Sequence, residues 1–176
     1  MLYLVQTSPW HAWRHHIEDA SGLVLGHIEA PTWAQATNSR LAIVDARDAV
    51  AAHVQLNDGR YLIRFEYLRR GWVNDVAWWL ESPKGDVLAR LEKVFPPEAS
   101  SLPNHLMTAP TEGELKVLSA RKFRRFDARL YLSDGQEALS ITTVGWLSLR
   151  LRLEISGGFG STAQQAFMAY YALHLR

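Results

Sequence analysis

A chain of 176 residues, of which 48% are apolar, is long enough for one domain with its own hydrophobic core. The complete absence of cysteine excludes a disulfide scaffold, a cysteine-ligated zinc ion and a thiol nucleophile. A formal net charge of +1 lies below the basic excess of a dedicated nucleic-acid binder, so no specific nucleic-acid partner is expected.

The first ten residues lack the basic segment and long apolar run of a signal peptide. No run of about 18 uncharged apolar residues occurs before the C-terminal region, so no transmembrane segment is predicted. We therefore expect a cytoplasmic protein. The basic residues described below add the prediction that it associates peripherally with a membrane.

Alternation of apolar and polar residues predicts strands along most of the chain. Residues 61–68, 87–92 and 146–155 each place an apolar side chain at every second position, which is typical of a strand with one buried face. Short turns separate these strands, at Asp19-Ala20-Ser21-Gly22, Asn57-Asp58-Gly59, Lys84-Gly85 and Asp134-Gly135. Connections this short predict antiparallel hairpins.

Residues 95–113 hold four prolines and two adjacent serines, and they predict a connection without regular structure. This connection separates a first β half, residues 1–94, from a second β half, residues 114–160. Because neither half is large enough to close alone, we predict one barrel domain over residues 1–176. A linker between two domains is the alternative.

The period changes in residues 161–176, which predict a helix. Gly157-Gly158-Phe159-Gly160 forms a flexible break, and Ser161 stands three residues before Gln164, the spacing of a capping box. The residues that follow are apolar on every face, so the helix must be enclosed. The predicted fold is therefore all-β, a closed antiparallel β-barrel around a buried apolar C-terminal helix. A membrane-inserting or dimer-forming helix is the alternative.

Hairpins from the first residues and an apolar final helix resemble the tubby-like superfamily. The similarity rests on Met1-Leu2-Tyr3-Leu4-Val5-Gln6 as an opening strand, on turns in residues 17–22 and 43–46, and on residues 167–175 as the core helix. Within the superfamily the chain is most similar to the LURP-one-related branch, which includes the phospholipid scramblases. The resemblance implies a barrel around a central helix and, in tubby domains, phosphoinositide binding through basic side chains. Neither a tubby lipid-binding motif nor a calcium-binding acidic loop can be matched residue by residue.

Residue patterns that would indicate catalysis or metal binding have simpler explanations. His15 and His16 would point to opposite faces of a strand, which breaks the cluster they form with His11. The carboxylate pairs Glu18 with Asp19 and Asp45 with Asp48 lie in predicted turns, where Asp bonds its own backbone. We therefore predict no catalytic residue, no metal site and no cofactor.

Two tryptophans follow one another in a predicted strand, Trp78 and Trp79. Trp78 shares a face with Val76 and Leu80 and is assigned to the core. Trp79 then faces outward with Ala77, and an exposed indole is typical of an interface with a partner or a membrane. A loop that folds over Trp79 is the alternative.

Basic residues are densest around residues 121–125, Arg-Lys-Phe-Arg-Arg. If Leu130 and Leu139 face inward, Arg125 and Arg129 face outward on one strand, and Arg150 and Arg152 face outward two strands away. The strand between them would present the small side chains Ala138, Ser140 and Thr142. These four arginines are the predicted binding residues for an anion or an anionic lipid.

The function that these features favour is a non-catalytic binding module that engages an anionic phospholipid surface or a protein partner. A lipocalin-like carrier of a small apolar ligand is one alternative, and an enzyme of unknown class is another. The oligomeric state is not predicted.

Overall fold

The computed structural model describes residues 1–7, 14–30, 49–70, 73–94, 104–109, 113–122, 125–131, 134–144 and 152–174. These residues form twelve strands and one helix: β1 (Leu2–Gln6), β2 (Arg14–Asp19), β3 (Val24–Glu29), β4 (Ala49–Leu56), β5 (Gly59–Arg70), β6 (Val73–Glu81), β7 (Val87–Val94), β8 (Asn104–Ala109), β9 (Gly113–Lys122), β10 (Arg125–Tyr131), β11 (Glu137–Thr143), β12 (Arg152–Gly157) and α1 (Thr162–His174).

Every strand pairs antiparallel with the next strand along the chain. β1 pairs with β2 on one side and with β12 on the other, so the order of paired strands returns to its start. The predicted strand-dominated, antiparallel fold with a C-terminal helix is confirmed. The predicted tight turns are also present, with Gly22, Gly85 and Gly135 at positive φ.

One face of the strands forms the core, because every second side chain points inward. Cross-strand partners such as Leu4 and Ile17, or Leu130 and Leu139, are at most 1% exposed. The same holds for residues on most other strands: Ile28, Val54, Ile63, Leu80, Ala89, Leu91, Ile141, Leu153 and Ile155. Burying one such side chain contributes about 1.5–3 kcal/mol.

The helix α1 lies among the inward side chains and is buried on every face. Residues 166–171 are consecutive and none is more than 4% exposed. Helix α1 contacts β1 and β12 and also β4 and β6, which lie on the other side of the strand order. The aromatic ring of Tyr171 packs edge-on against Trp78 of β6, with 5.8 Å between ring centroids. The predicted enclosure of this helix is therefore confirmed.

A capping box starts α1, as the spacing of Ser161 and Gln164 predicts. The Gln164 backbone N–H donates to the Ser161 hydroxyl at 3.3 Å, and the Ser161 N–H donates to Gln164 Oε1 at 2.8 Å. The side-chain Nε2 of Gln164 then donates to the carbonyl oxygen of Leu88 in β7 at 2.9 Å. Gln164 thus caps the helix and fastens it to the surrounding strands.

The chain leaves β12 for α1 through the predicted glycine break. Gly157 has φ +127°, and a Cβ at this position would collide with the carbonyl oxygen of Ala138. Only glycine combines this conformation with so close an approach to the neighbouring strand. Phe159, between the glycines, is 6% exposed and belongs to the core.

The prediction of an irregular connection over residues 95–113 is wrong in its second part. Residues 104–109 form β8, which pairs with β7 and β9 and so continues the antiparallel order between the two predicted halves. In the sequence, Pro103 precedes this strand and Pro110 follows it. The proline-rich composition of residues 95–113 therefore concealed a short strand.

Replacing Phe167 with Asp tests the enclosure of the helix. Phe167 is fully buried, so the variant places an unpaired charge in the core and should lose about 4 kcal/mol or more of unfolding free energy in urea. Phe167→Leu is the matched control and should lose about 1 kcal/mol. A Phe167→Asp midpoint equal to that of the wild type would contradict enclosure.

Replacing Gln164 with Ala tests its double role. The variant removes a cap acceptor and leaves the Leu88 carbonyl without this donor, so it should cost about 2–3 kcal/mol. Ser161→Ala removes only one cap bond and should cost about 1 kcal/mol. Equal losses in the two variants, measured by denaturant unfolding, would show that the bond to β7 contributes nothing.

Candidate anion-binding surface

The outer faces of β10, β11 and β12 lie side by side, as the sequence predicts. Inward residues Leu130, Leu139 and Ile155 are buried, which leaves the alternate positions on the outer face. Arg129 stands opposite Ser140, and Ser140 stands opposite Ser156. The predicted strand order and the inward and outward faces of β11 are confirmed.

The register differs from the predicted arrangement of arginines around a neutral strip. Thr142 lies between Asp127 and Glu154, so an acidic residue stands on each side of it. Arg129 is level with Ser140, whereas Arg152 is level with Val144, about 14 Å further along β11. The two strands are staggered, and Arg129 and Arg152 do not face each other. Arg150 lies outside the described residues.

Arg129 also has a carboxylate partner of its own. Its Nη1 lies 3.4 Å from Oε2 of Glu137, and both side chains are largely solvent-exposed. An exposed pair of this kind contributes at most about 1 kcal/mol. The charge of Arg129 is thus partly neutralised. Because of the register, Arg129 also does not lie level with Arg152.

The pairing of neighbouring strands instead brings a different set of outer positions level with one another. We call this set the basic row. Arg125 stands two residues beyond the Asp127–Thr142 pair and is therefore level with Val144. The Val144 N–H donates to the carbonyl oxygen of Arg152 at 2.9 Å. From β9 to β5, paired positions give the row Lys122, Arg125, Val144, Arg152, Val5, His16, His27, Gln55 and Arg60.

The basic row contains no carboxylate across nine strands. Two arginines of the row whose side chains the structure describes, Arg60 and Arg152, make no ion pair with another described side chain. Two arginines on other rows do have a carboxylate partner: Arg64 Nε lies 2.7 Å from Glu81, and Arg90 Nη2 lies 2.8 Å from Glu66. Arg60 and Arg152 differ from these two because no described carboxylate balances their charge.

Arg152 is held in place without neutralisation. Its guanidinium carbon lies 4.1 Å from the centroid of the Tyr3 ring on β1, a cation–π contact. Its Nε is buried and has no hydrogen-bond partner among the described residues. The buried Nε is out of reach of an external ligand, but a guanidinium that is fixed by stacking and keeps its charge is suited to an oxyanion ligand.

The histidines separate as strand geometry predicts. His15 is 2% exposed and faces the core beside Tyr170 of α1, while His16 is half-buried on the outer face. His11 lies outside the described residues. In the part of the chain that the structure describes, no three His, Asp or Glu side chains form a metal-binding group.

Trp79 faces outward with Ala77, but it is not exposed. The side chain is 8% accessible, with the Arg90 guanidinium carbon 5.7 Å from its ring centroid. Of the two alternatives, the covered indole is the one found, and the described contact comes from Arg90 on the neighbouring strand. Trp78 packs on Phe65 and Tyr171 at the core, as predicted. An interface role for Trp79 stays a prediction.

The acidic pair in the first turn is structural. Both the backbone N–H and the hydroxyl of Ser21 donate to Asp19 Oδ1, as does the Leu23 N–H. The Ser21 hydrogen bond is the largest cause that lowers the pKa of Asp19. Asp19 is thus an ionised turn residue, which explains it without acid–base chemistry. Asp45 and Asp48 lie outside the described residues.

Comparison with known proteins leaves the surface to be interpreted from its own chemistry. No family model, curated protein or solved structure matches the chain. No helix within the described residues has the length and apolar character needed to cross a bilayer.

A pH titration of stability tests the environment of His53, which lies on the outer face of β4. Burial and, next, the charge of Arg60 lower the pKa of His53 below 6.5. Because the pKa is lower in the folded state, the unfolded chain takes up the proton first as the pH falls. The folded state with a neutral His53 is therefore fully stable above pH 6.5 and loses unfolding free energy as pH falls through the folded pKa.

His53→Gln should therefore lose less stability than the wild type between pH 7 and pH 5, measured as unfolding free energy in urea. His16→Gln is the comparison on the same face of the sheet. An identical pH dependence of the wild type and His53→Gln would contradict the lowered pKa.

Proposed function

We propose that this protein is a non-catalytic binding module whose basic row engages the phosphates of an anionic phospholipid surface. The observation that carries the proposal is the continuous run of outer positions, from Lys122 to Arg60, without one carboxylate. Such a run collects cationic positions on a chain whose net charge is only +1, beside an adjoining row that holds Asp127, Glu154 and Glu18. The protein would act at the cytoplasmic face of a membrane without entering it.

A phospholipid surface suits the row better than a single small anion. Neighbouring strands are about 4.8 Å apart, so Arg125 and Arg152, two strands apart, are separated by about 10 Å at the backbone. A bilayer offers many phosphates along the whole row, so residues at that spacing can each meet a separate headgroup. Each Lys or Arg near an anionic bilayer contributes about 1 kcal/mol, so a few unpaired charges give reversible binding.

The carrier alternative loses support from the position of α1. A lipocalin-like barrel holds its ligand in the interior. Here Phe167, Met168 and Tyr170 of the helix occupy the space among the inward side chains, and each is at most 3% exposed. The outer face is therefore the better place to look for a ligand.

We also propose that the fold is tubby-like, in the LURP-one-related and scramblase-like branch. An antiparallel order that starts with β1 and ends at an enclosed C-terminal helix supports this assignment. It rests on architecture alone. An experimental structure with a differently placed final helix would remove it.

Co-sedimentation with vesicles tests the lipid proposal. The wild type should bind phosphatidylglycerol vesicles and not phosphatidylcholine vesicles, and binding should weaken with salt, because the Debye length falls from about 10 Å at 0.1 M to about 3 Å at 1 M. Replacing Arg125 and Arg152 with Gln should weaken binding roughly 25-fold, about fivefold for each charge.

A charge-matched variant separates the row from net charge. Lys84→Gln with Arg129→Gln also removes two positive charges, but both residues lie off the basic row. This control should bind nearly as well as the wild type. Equal weakening in the two double variants would reduce the effect to net charge, and no binding by the wild type would remove the proposal.

A further inference from the structure

We infer that binding of the basic row to anionic lipid strengthens as pH falls, because His16 and His27 add positive charge to the row. This inference rests on the proposed function and concerns the regulation of the same surface. The two histidines are directly opposite each other on β2 and β3 and are half-buried on the outer face. Histidine is the side chain that changes charge between pH 5 and 8.

The histidines continue the arginine part of the row. Arg152 is opposite Val5 on β1, and Val5 is opposite His16 on β2. Only one uncharged strand position therefore separates the last arginine from the first imidazole. Protonation would extend the cationic part of the row from β9 through β12 to β3, so that a larger stretch meets the lipid phosphates.

The charged neighbours of the pair lie on the adjoining rows. Arg14 and Glu18 are the outer positions on either side of His16 in β2, and Glu29 follows His27 in β3. Glu29 stands opposite Arg14 on one side and opposite His53 of β4 on the other. Glu18 stands between Tyr3 and Val24.

The remaining partners of the pair in its own row carry no charge. They are Val5, next to His16, and Gln55 of β4, which is opposite His27. Within the row, the cross-strand neighbours of the two imidazoles are thus uncharged, and the nearest carboxylates, Glu18 and Glu29, lie two residues away along the strands, with Glu29 opposite Arg14.

An anion and the two protons should bind cooperatively. Opposite side chains in a sheet have Cβ atoms about 5 Å apart, so two imidazolium groups repel each other when no anion is present. A lipid phosphate over the pair offsets this repulsion. By linkage, lipid that binds the protonated pair better must also increase its affinity for protons.

Vesicle binding at two pH values tests the inference. Phosphatidylglycerol is suitable because its phosphodiester stays ionised from pH 7.5 to pH 5.5. The wild type should bind up to about 25-fold more tightly at pH 5.5, roughly fivefold for each charge gained. His16→Gln with His27→Gln should match the wild type at pH 7.5 and lose most of the increase at pH 5.5. His53→Gln, which changes an outer histidine off the row, should keep the increase.

The outcomes separate the inference from the proposed function. Wild-type binding that is the same at both pH values, or an increase that survives in the double variant, would overturn the inference and leave the proposed function standing. No binding at either pH would overturn both.

A second measurement does not depend on vesicles. At pH 5.5 the imidazole NMR signals of His16 and His27 should change when short-chain phosphatidylglycerol is added below its micelle concentration, because the phosphate binds over the pair. Unchanged signals of both histidines would also overturn the inference.

Discussion

Enclosure of α1 is the constraint on which the other features depend. Six consecutive buried residues leave no helix face for water, so apolar side chains must surround the helix on all sides. Strands from opposite parts of the order provide these side chains, and each strand then has its second face outside. Because the interior is filled, the chemistry open to partners is confined to the outer face. Gln164 links the two parts by capping the helix and bonding to β7.

Stagger between neighbouring strands decides which outer residues meet. The sequence places Arg125, Arg129 and Arg152 on one face, but only the register aligns Arg125 with Arg152 and sets Arg129 beside Glu137. Along β11, the outer position Thr142 has acidic residues on both neighbouring strands. Two residues further on, the outer position Val144 has basic residues on both. The character of the surface therefore depends on register as much as on composition.

Local patterns in the sequence predicted the strands, the turns and the helix start, because each depends on residues near to one another. Each of these signals involves residues only a few positions apart. Examples are the alternation in residues 61–66, the turn glycines Gly22 and Gly85, and the Ser161–Gln164 spacing. The row that joins His16, His27 and Arg152 was not predictable, since it depends on pairing between β12, β1, β2 and β3. For a related reason the sequence left an open and a covered Trp79 as alternatives, because a residue on another strand, Arg90, covers the indole.

The position of α1 after every strand has a consequence for how the protein is made. During synthesis the described strands emerge before the helix that must fill their interior. β1 must also wait for β12, its partner on one side, although ten strands separate the two along the chain. Contacts between such distant segments close slowly. Until then the inward faces stay exposed, and a nascent chain in this state would be a natural client for chaperones that shield apolar surface.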